Sequence, residues 1–479
     1  MKKSNLLILS FVAILSSCNR SPEPSLPIPT PQQLEWQQLE NYAFIHFGLN
    51  TFNNMEWGYG DTPASTFNPT HLDCEQWVLT LKAAGMKGVI LTAKHHDGFC
   101  LWPTETTDYS IKNSPYKNGD GDLVKELSEA CRKHGLKFGL YLSPWDRHQA
   151  EYGRKGYVSI YHQQIQELVS NYGPLFEFWF DGANGGNGWY GGANETRSIV
   201  AEHYYGYAEA RDLVWNYSPD AMIFGGTVPT IRWIGNEDGI ADATQWCMYK
   251  TDFQSLNDER SLGSGFKDGE AWLPAEVDVS IRPGWFYHKS EDSLVKTVEQ
   301  LEDLYFNSVG HNANLLLNFP VNQEGRIAAI DSANAVEWHR KLQRDFSDNL
   351  LKGCTVTASN VRSSRFKPTN VLDEDFDKYW ATDDDIRHAE LVFEFPETTA
   401  FNRLMLQEYV PLGQNVEAFH LDYYFNGKWL PIETNEPTTT IGYKRLVRFQ
   451  TVRADKLRIR FKTFKGTLCI NGIGAYLAD

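Results

Sequence analysis

Between residue 42 and about residue 320 the chain alternates apolar runs of strand length with segments of helical period, and this alternation restricts the fold more than any other feature. The runs "YAFIHFG", "KGVILTAKHH", "LKFGLYLSP", "LFEFWFDG", "AMIFGG", "AEVDVSI" and "NLLLNFP" read as strands. Between them, "CEQWVLTLKAAG" puts Cys74, Trp77, Val78 and Leu81 on one helical face, and "DLVKELSEACRKHG" makes a stripe of Leu123, Val124, Leu127, Ala130 and Cys131 behind an N-cap at Asp122. "SIYHQQIQELVSNYG" is a third helix, and a long helical segment is expected from Ser290 to about Ser308. Repeated strand–helix–strand units mean parallel strands with right-handed crossovers. Polar residues recur at the strand ends, as the single working face of a closed barrel requires. The fold class is therefore α/β, a (β/α)8-like TIM barrel over residues 32–348.

After residue 349 the texture changes to short alternating strands such as "AELVFEF", "FHLDYYF" and "KLRIRFK", expected to form an all-β sandwich over 349–479. The N-terminus has two lysines, an apolar run from Leu6 to Leu15 and small residues before Cys18, the pattern of a signal peptide over 1–17. "LSSC" resembles the lipobox of bacterial lipoproteins, which implies lipidation of Cys18 and an exported chain held in the cell envelope by its lipid anchor alone. The Pro-rich stretch 18–31 is expected to stand extended as a spacer. Cys74, Cys100, Cys131, Cys247, Cys354 and Cys469 lie singly among apolar neighbours and read as buried thiols. A formal charge of −16 argues against nucleic acid or another polyanion as ligand. A neutral substrate fits better, and 15 Trp, 23 Tyr and 27 Phe supply rings on which sugars stack, although a large core would use them too.

The polar residues at strand ends are His46 in "FIHFG", His95 and His96 in "AKHHDGF", Tyr141 and Trp145 in "YLSPWD", Asp181 in "FWFDG" and Glu237 in "RWIGNEDG". A lone histidine after a strand is ordinarily a hydrogen-bonded core residue, but these converge on one rim. The set lacks H-x-H or H-x-x-x-H spacing, and its aromatic companions suit a ring-shaped organic ligand better than a metal, so no metal or cofactor is expected. Two carboxylates among aromatics and neutral donors suit glycoside hydrolysis, which needs a nucleophile and an acid. Asp181, short and rigid after a buried strand, is the natural nucleophile; Glu237, in a glycine-flanked loop, is the acid, with Glu276 in reserve. Glu177 and Trp179 share the face of Asp181 and are expected to fill the layers beneath it without touching substrate.

The motifs "FIHFGLNTF", "EWG", "LTAKHHDGFCLWPT", "GLYLSPWDRH", "FWFDGANG" and "RWIGNEDG" closely resemble the α-L-fucosidases of glycoside hydrolase family 29, over roughly Trp36 to Phe346. The resemblance implies a retaining double displacement with Asp181 as nucleophile, and His46, His95 and His96 as holders of fucose hydroxyls. It extends to Glu56, Trp57 and Tyr141, and Arg232 and Trp285 complete the candidate substrate-binding residues. The "GNE" glutamate resembles the acid/base of the subfamily acting on α-1,3 and α-1,4 fucosyl branches, which points to Glu237 and to fucosylated oligosaccharides as substrate. "KPTNVLDEDFDKYWATDDD" looks like a discoidin-type, galactose-binding-like module that binds sugar or buttresses the barrel. An exo-glycosidase for another galactose-configured sugar, or a noncatalytic carbohydrate receptor, are the rival readings.

Overall fold

The structure is a computed structural model that describes residues 20–252 and 254–478, so Cys18 and the signal-peptide pattern lie outside the described residues. Eight parallel strands form one sheet: β1 (Asn41–Ile45), β2 (Gly88–Lys94), β3 (Lys137–Leu142), β4 (Glu177–Trp179), β5 (Met222–Phe224), β6 (Arg232–Trp233), β7 (Ala275–Ser280) and β8 (Ala313–Asn318). Their spatial order is β5-β4-β3-β2-β1-β8-β7-β6, and a parallel bridge between Phe224 and Ile231 links the two ends into a nearly closed barrel.

Strand alternation splits the barrel's apolar residues into two cores. Tyr42, Phe44, Ile90, Tyr141, Trp179, Met222, Phe224 and Leu316 point inward and pack as one cluster inside the barrel. Ala43, Ile45, Val89, Leu91, Leu140, Phe178, Val277 and Leu315 point outward and meet the helices. Those helices are α1 (Cys74–Ala83), α2 (Leu123–His134), α3 (Lys155–Tyr172), α4 (Tyr207–Tyr217), α5 (Val298–Asn307) and α6 (Ala329–Asp345). Asp122 caps α2 by accepting the amide of Lys125, and Gly135 ends the helix in the left-handed region (φ 67°).

Three sequence expectations change. The segment from Ser290 to Ser308 is α-helical only from Val298, after a single 3-10 turn at Lys289–Glu291, and Thr297 and Gln300 form the capping box that starts α5. No helix separates β5 from β6, which are joined by residues 225–231. Residues 20–30 do not stand free: Arg362 Nε donates to the carbonyl of Arg20 (2.7 Å), the Ser25 amide to Leu412 (2.9 Å) and Lys465 Nζ to Leu26 (2.8 Å). An extended Pro-rich chain leaves its own backbone groups unpaired, and here the C-terminal domain pairs them.

That domain is an antiparallel sheet of β9 (Thr355–Ala358), β10 (Trp380–Ala381), β11 (His388–Glu408), β12 (Val416–Phe425), β13 (Lys428–Pro431), β14 (Arg445–Thr463) and β15 (Cys469–Tyr476). The long strands β11 and β14 pair along most of their length, with register shifts near Glu394 and Phe401. One half of β11 carries β9 and the other carries β15, and both halves bury their inner residues, among them Leu391, Phe393, Leu404, Ile459 and Ile473, in one core.

Candidate active site

The strands end around a cleft of about 430 Å³ at the C-terminal mouth of the barrel. Its lining includes His46, Trp57, His95, His96, Tyr141, Asp181, Glu237 and Trp285, so eight candidates from the sequence meet there. Asp181 follows β4 and is gripped at both oxygens, Oδ2 by the Tyr141 hydroxyl (2.8 Å) and Oδ1 by the Ala183 amide (2.6 Å). Burial raises the Tyr141 phenol well above its ordinary range, and the neighbouring Asp181 raises it further, so the phenol stays a neutral donor. Trp179 stacks on Phe224 (centroids 3.9 Å apart) and on Tyr141 (5.4 Å). Contrary to expectation it also lines the cleft floor, since the short β4 leaves no further layer above it.

His95 and His96 both face the cleft although strand alternation would separate them. A register shift between Thr92 and Lys94 sends Lys94 outward to Asp146 and Gln164, and the chain then turns, with the Gly98 amide bonded to the His95 carbonyl. The hydrogen bonds assign the tautomers of two imidazoles. Asn318 donates from Nδ2 to Ser280 and to the Trp285 carbonyl, so its Oδ1 accepts from His46 Nδ1 (2.9 Å). Ser143 donates to the Trp145 carbonyl (2.7 Å) and so accepts from His96 Nδ1 (2.7 Å). Both rings are left with a bare Nε2. Burial lowers His46 to about 3 and lowers His95 and His96 too, so the cleft holds neutral imidazoles suited to accept hydroxyl protons. His96 Nε2 lies 3.9 Å from Asp181 Oδ2.

Glu237 sits on the exposed loop after β6, where an Asx turn of Asn236 onto the Asp238 amide and positive-φ glycines at 235 and 239 bend the chain back over the cleft. The indole Nε1 of Trp285 donates to Glu237 Oε2 (3.0 Å). Among the described residues no group of three or more His, Cys, Asp or Glu is arranged to hold a metal ion.

Other candidates stand elsewhere. Arg232 faces away from the cleft, buried, and donates to the Leu262 and Leu273 carbonyls and to Gln245 Oε1; its partner in the two-residue β6, Trp233, takes the inward position. Burial lowers its guanidinium only to about 10, so it remains charged. Glu56 does not line the cleft either; it accepts the Trp285 and Phe286 amides and His288 Nε2. Glu276, the reserve acid, is sealed inside the barrel, hydrogen-bonded by Tyr42 and Trp179 and facing Glu177; burial raises both carboxyls, and the pair keeps a proton. Asp278, two residues on, is the inward carboxyl that reaches the cleft. It is buried, accepts from Trp233 Nε1 (2.7 Å), and is raised well above the carboxylate range by burial and then by Glu237 and Glu276. Period-two alternation inward from Glu276 was the signal that marks it.

A barrel mouth with a rigid aspartate, a glutamate on an exposed loop, neutral imidazoles and a ring of aromatics defines a carbohydrate-cleaving enzyme. The alpha-L-fucosidase family model matches residues 29–338, and the chain belongs to that family of glycoside hydrolases. It is 41% identical to alpha-L-fucosidase 1 of Arabidopsis thaliana, covering 99% of this chain and 92% of the relative. The glycoside hydrolase 29 fucosidase E1_10125 of Ruminococcus gnavus, solved in complex with fucose, superposes with a TM-score of 0.87 at 35% identity, covering 97% of both chains. A glycoside hydrolase 29 family member from an unknown rumen bacterium gives 0.86 at 42% identity, covering 96% of this chain and 78% of that one.

Proposed function

We propose that the chain is a retaining exo-α-L-fucosidase that removes α-1,3- or α-1,4-linked fucose from oligosaccharide branches. The observation that carries this reading is Asp181, fixed through both oxygens at a strand end, with Glu237 on the facing loop of the same cleft. The fucose complex of the Ruminococcus gnavus neighbour supports the sugar. In the first step an Asp181 oxygen bonds to the anomeric carbon while the glycosidic bond breaks and the Glu237 proton passes to the leaving oxygen. In the second, Glu237 takes a proton from water, whose oxygen displaces Asp181 and releases fucose. Tyr141 and the Ala183 amide hold the nucleophile in attack geometry, and the bare Nε2 atoms of His46 and His96 accept sugar hydroxyls. Phe44, Trp57, Trp179 and Trp285 offer apolar faces to the ring.

The "LSSC" pattern supports export and lipid anchoring at Cys18, and the docked residues 20–30 would then hold the enzyme by its discoidin-like C-terminal domain. Time-resolved NMR of the first-formed fucose tests the mechanism. An α-fucoside should give the α-anomer first, and Asp181→Ala should lose more than 99% of turnover, with azide restoring a β-fucosyl azide. A β-anomer from the wild type would exclude the double displacement.

A further inference from the structure

The loop that carries Glu237 leaves β6 and stands on two feet. At the near foot the Ile234 amide donates to the Glu276 carbonyl of β7 (3.0 Å). At the far foot the Ala241 amide donates to the Asn307 carbonyl at the end of α5 (2.8 Å), and the Ala241 carbonyl accepts from His311 Nδ1 (2.8 Å). Between the feet Asn236 spans the loop, donating from Nδ2 to the Ile240 carbonyl (2.9 Å). Displacing the far foot therefore displaces Glu237. His311 lies buried on the turn between α5 and β8, and its other nitrogen faces the C-terminal domain: Nε2 stands 2.7 Å from Glu436 Oε2.

A carbonyl has no proton to give, so Nδ1 donates to Ala241. Glu436 has none either: burial pushes its carboxyl up, but His311 and Arg445 outweigh burial and hold it below the ordinary carboxylate range. Both ring nitrogens therefore donate, and the ring is an imidazolium. Arg445 Nη2 donates to the same Oε2 (3.1 Å), and burial lowers its guanidinium only to about 10, so it stays charged through neutral pH. Arg448, on the same strand, adds its charge, and on the loop side Asp242 is turned to Gly263. The ring is thus the member of this cluster that releases a proton near neutrality. From this geometry we infer that the His311 imidazolium is a positioning residue for the general acid: it bolts the far foot of the Glu237 loop to Glu436 of the C-terminal domain. Loss of its proton sets a bare Nε2 against the carboxylate and loosens the foot. The inference rests on the reading of Glu237 as acid/base. A general acid must stand within hydrogen-bond reach of the leaving oxygen, so a loosened loop slows expulsion of a sugar and spares a nitrophenolate.

The test compares wild type with His311→Gln and Glu436→Gln by two measurements. One is the ratio of kcat/KM on a fucosylated trisaccharide to kcat/KM on a nitrophenyl fucoside, taken below the ordinary histidine value of about 6.5. The other is amide hydrogen exchange of residues 234–243, corrected for the intrinsic rate, between about pH 6 and pH 8. His311→Gln has one amide nitrogen, which cannot serve acceptors on both sides of the ring. It should lower the activity ratio and the loop's protection, each on the order of tenfold. Wild-type protection should fall on the order of tenfold as the pH rises. In Glu436→Gln it should stay flat, because the amide accepts from the charged ring or donates to the neutral one. That comparison also serves if His311→Gln does not fold. An unchanged activity ratio in folded His311→Gln, or wild-type protection as flat with pH as that of Glu436→Gln, would overturn the inference and leave the fucosidase reading standing. A wild type inactive on every fucoside would remove that reading and the inference with it.

Discussion

Asp278 shows what a single side chain adds to the site. Its Oδ1 accepts the Trp233 indole, and burial beside Glu237 and Glu276 keeps the carboxyl protonated, so it offers the cleft a neutral acid. Asparagine reproduces one donor and one acceptor without charge. Asp278→Asn should therefore retain kcat/KM within roughly tenfold of wild type, whereas Asp278→Ala removes the partner of the half-buried Trp233 indole and costs about 1 kcal/mol of stability. Equal damage from both, measured by kinetics and urea unfolding, would mean that Asp278 works as an anion. The histidines set a pH dependence of known sign. His46 falls from its ordinary 6.5 to about 3 in the fold, so its neutral form contributes stability that is complete above pH 6.5 and is lost as the pH drops toward 3. His46→Asn should flatten the fall of unfolding free energy over that window by up to one proton; an unchanged slope would remove His46 from this role. Asp181, His95 and His96 were legible in the sequence because each follows a recognisable strand. The positions of Glu56 and Arg232 were not, because motif similarity carries residue identity and not the direction in which a side chain points.

At the scale of elements, seven of the eight barrel strands stand out as apolar runs, while β6 has only two residues, Arg232 and Trp233. A strand that short has no period of its own and exists because Ala275 and Glu276 of β7 pair with it. The join between β5 and β6 is equally tertiary. Gly225 has φ 76°, and a Cβ there would lie 2.1 Å from the Phe180 carbonyl, the residue before Asp181. Backbone cannot yield as a flexible side chain does, and the left-handed conformation adds strain of its own. Gly225→Ala should thus move Asp181 and lower kcat about 100-fold, as expected for a displacement near 1 Å, in protein that circular dichroism shows to be folded. Near-normal kcat in the folded variant would mean that β4 does not register the position of its neighbour.

For the whole molecule, the change of texture near residue 349 announced a second domain, but nothing in either pattern announced how the two lock together. Residues 234–274, the excursion between β6 and β7, carry Glu237 at one end and place Leu256 and Leu262 on the cleft wall. The C-terminal domain grips this excursion through buried polar contacts. Gln414, fully buried, accepts the Cys247 amide and donates to the Gln245 carbonyl, both at 2.8 Å, as a strand neighbour would. Thr440 accepts the Gln245 amide (2.7 Å), and Arg445 donates to the Ala243 carbonyl (3.0 Å). Gln245 then bonds Arg232, which holds the Leu262 carbonyl, so the contact runs from the domain interface to the cleft wall. Gln414→Ala leaves the buried Cys247 amide unpaired and the Gln245 carbonyl with only its longer bond from Asn312 Nδ2 (3.5 Å), at a cost on the order of 1 to 3 kcal/mol. Urea unfolding should show that loss, and fucoside hydrolysis should fall with it well below the barrel's global melting, because the excursion loosens first. A chain ending at residue 348 should by the same reasoning be inactive, since every one of these partners is gone. A soluble, fully active barrel alone would show that the C-terminal domain does not support the cleft.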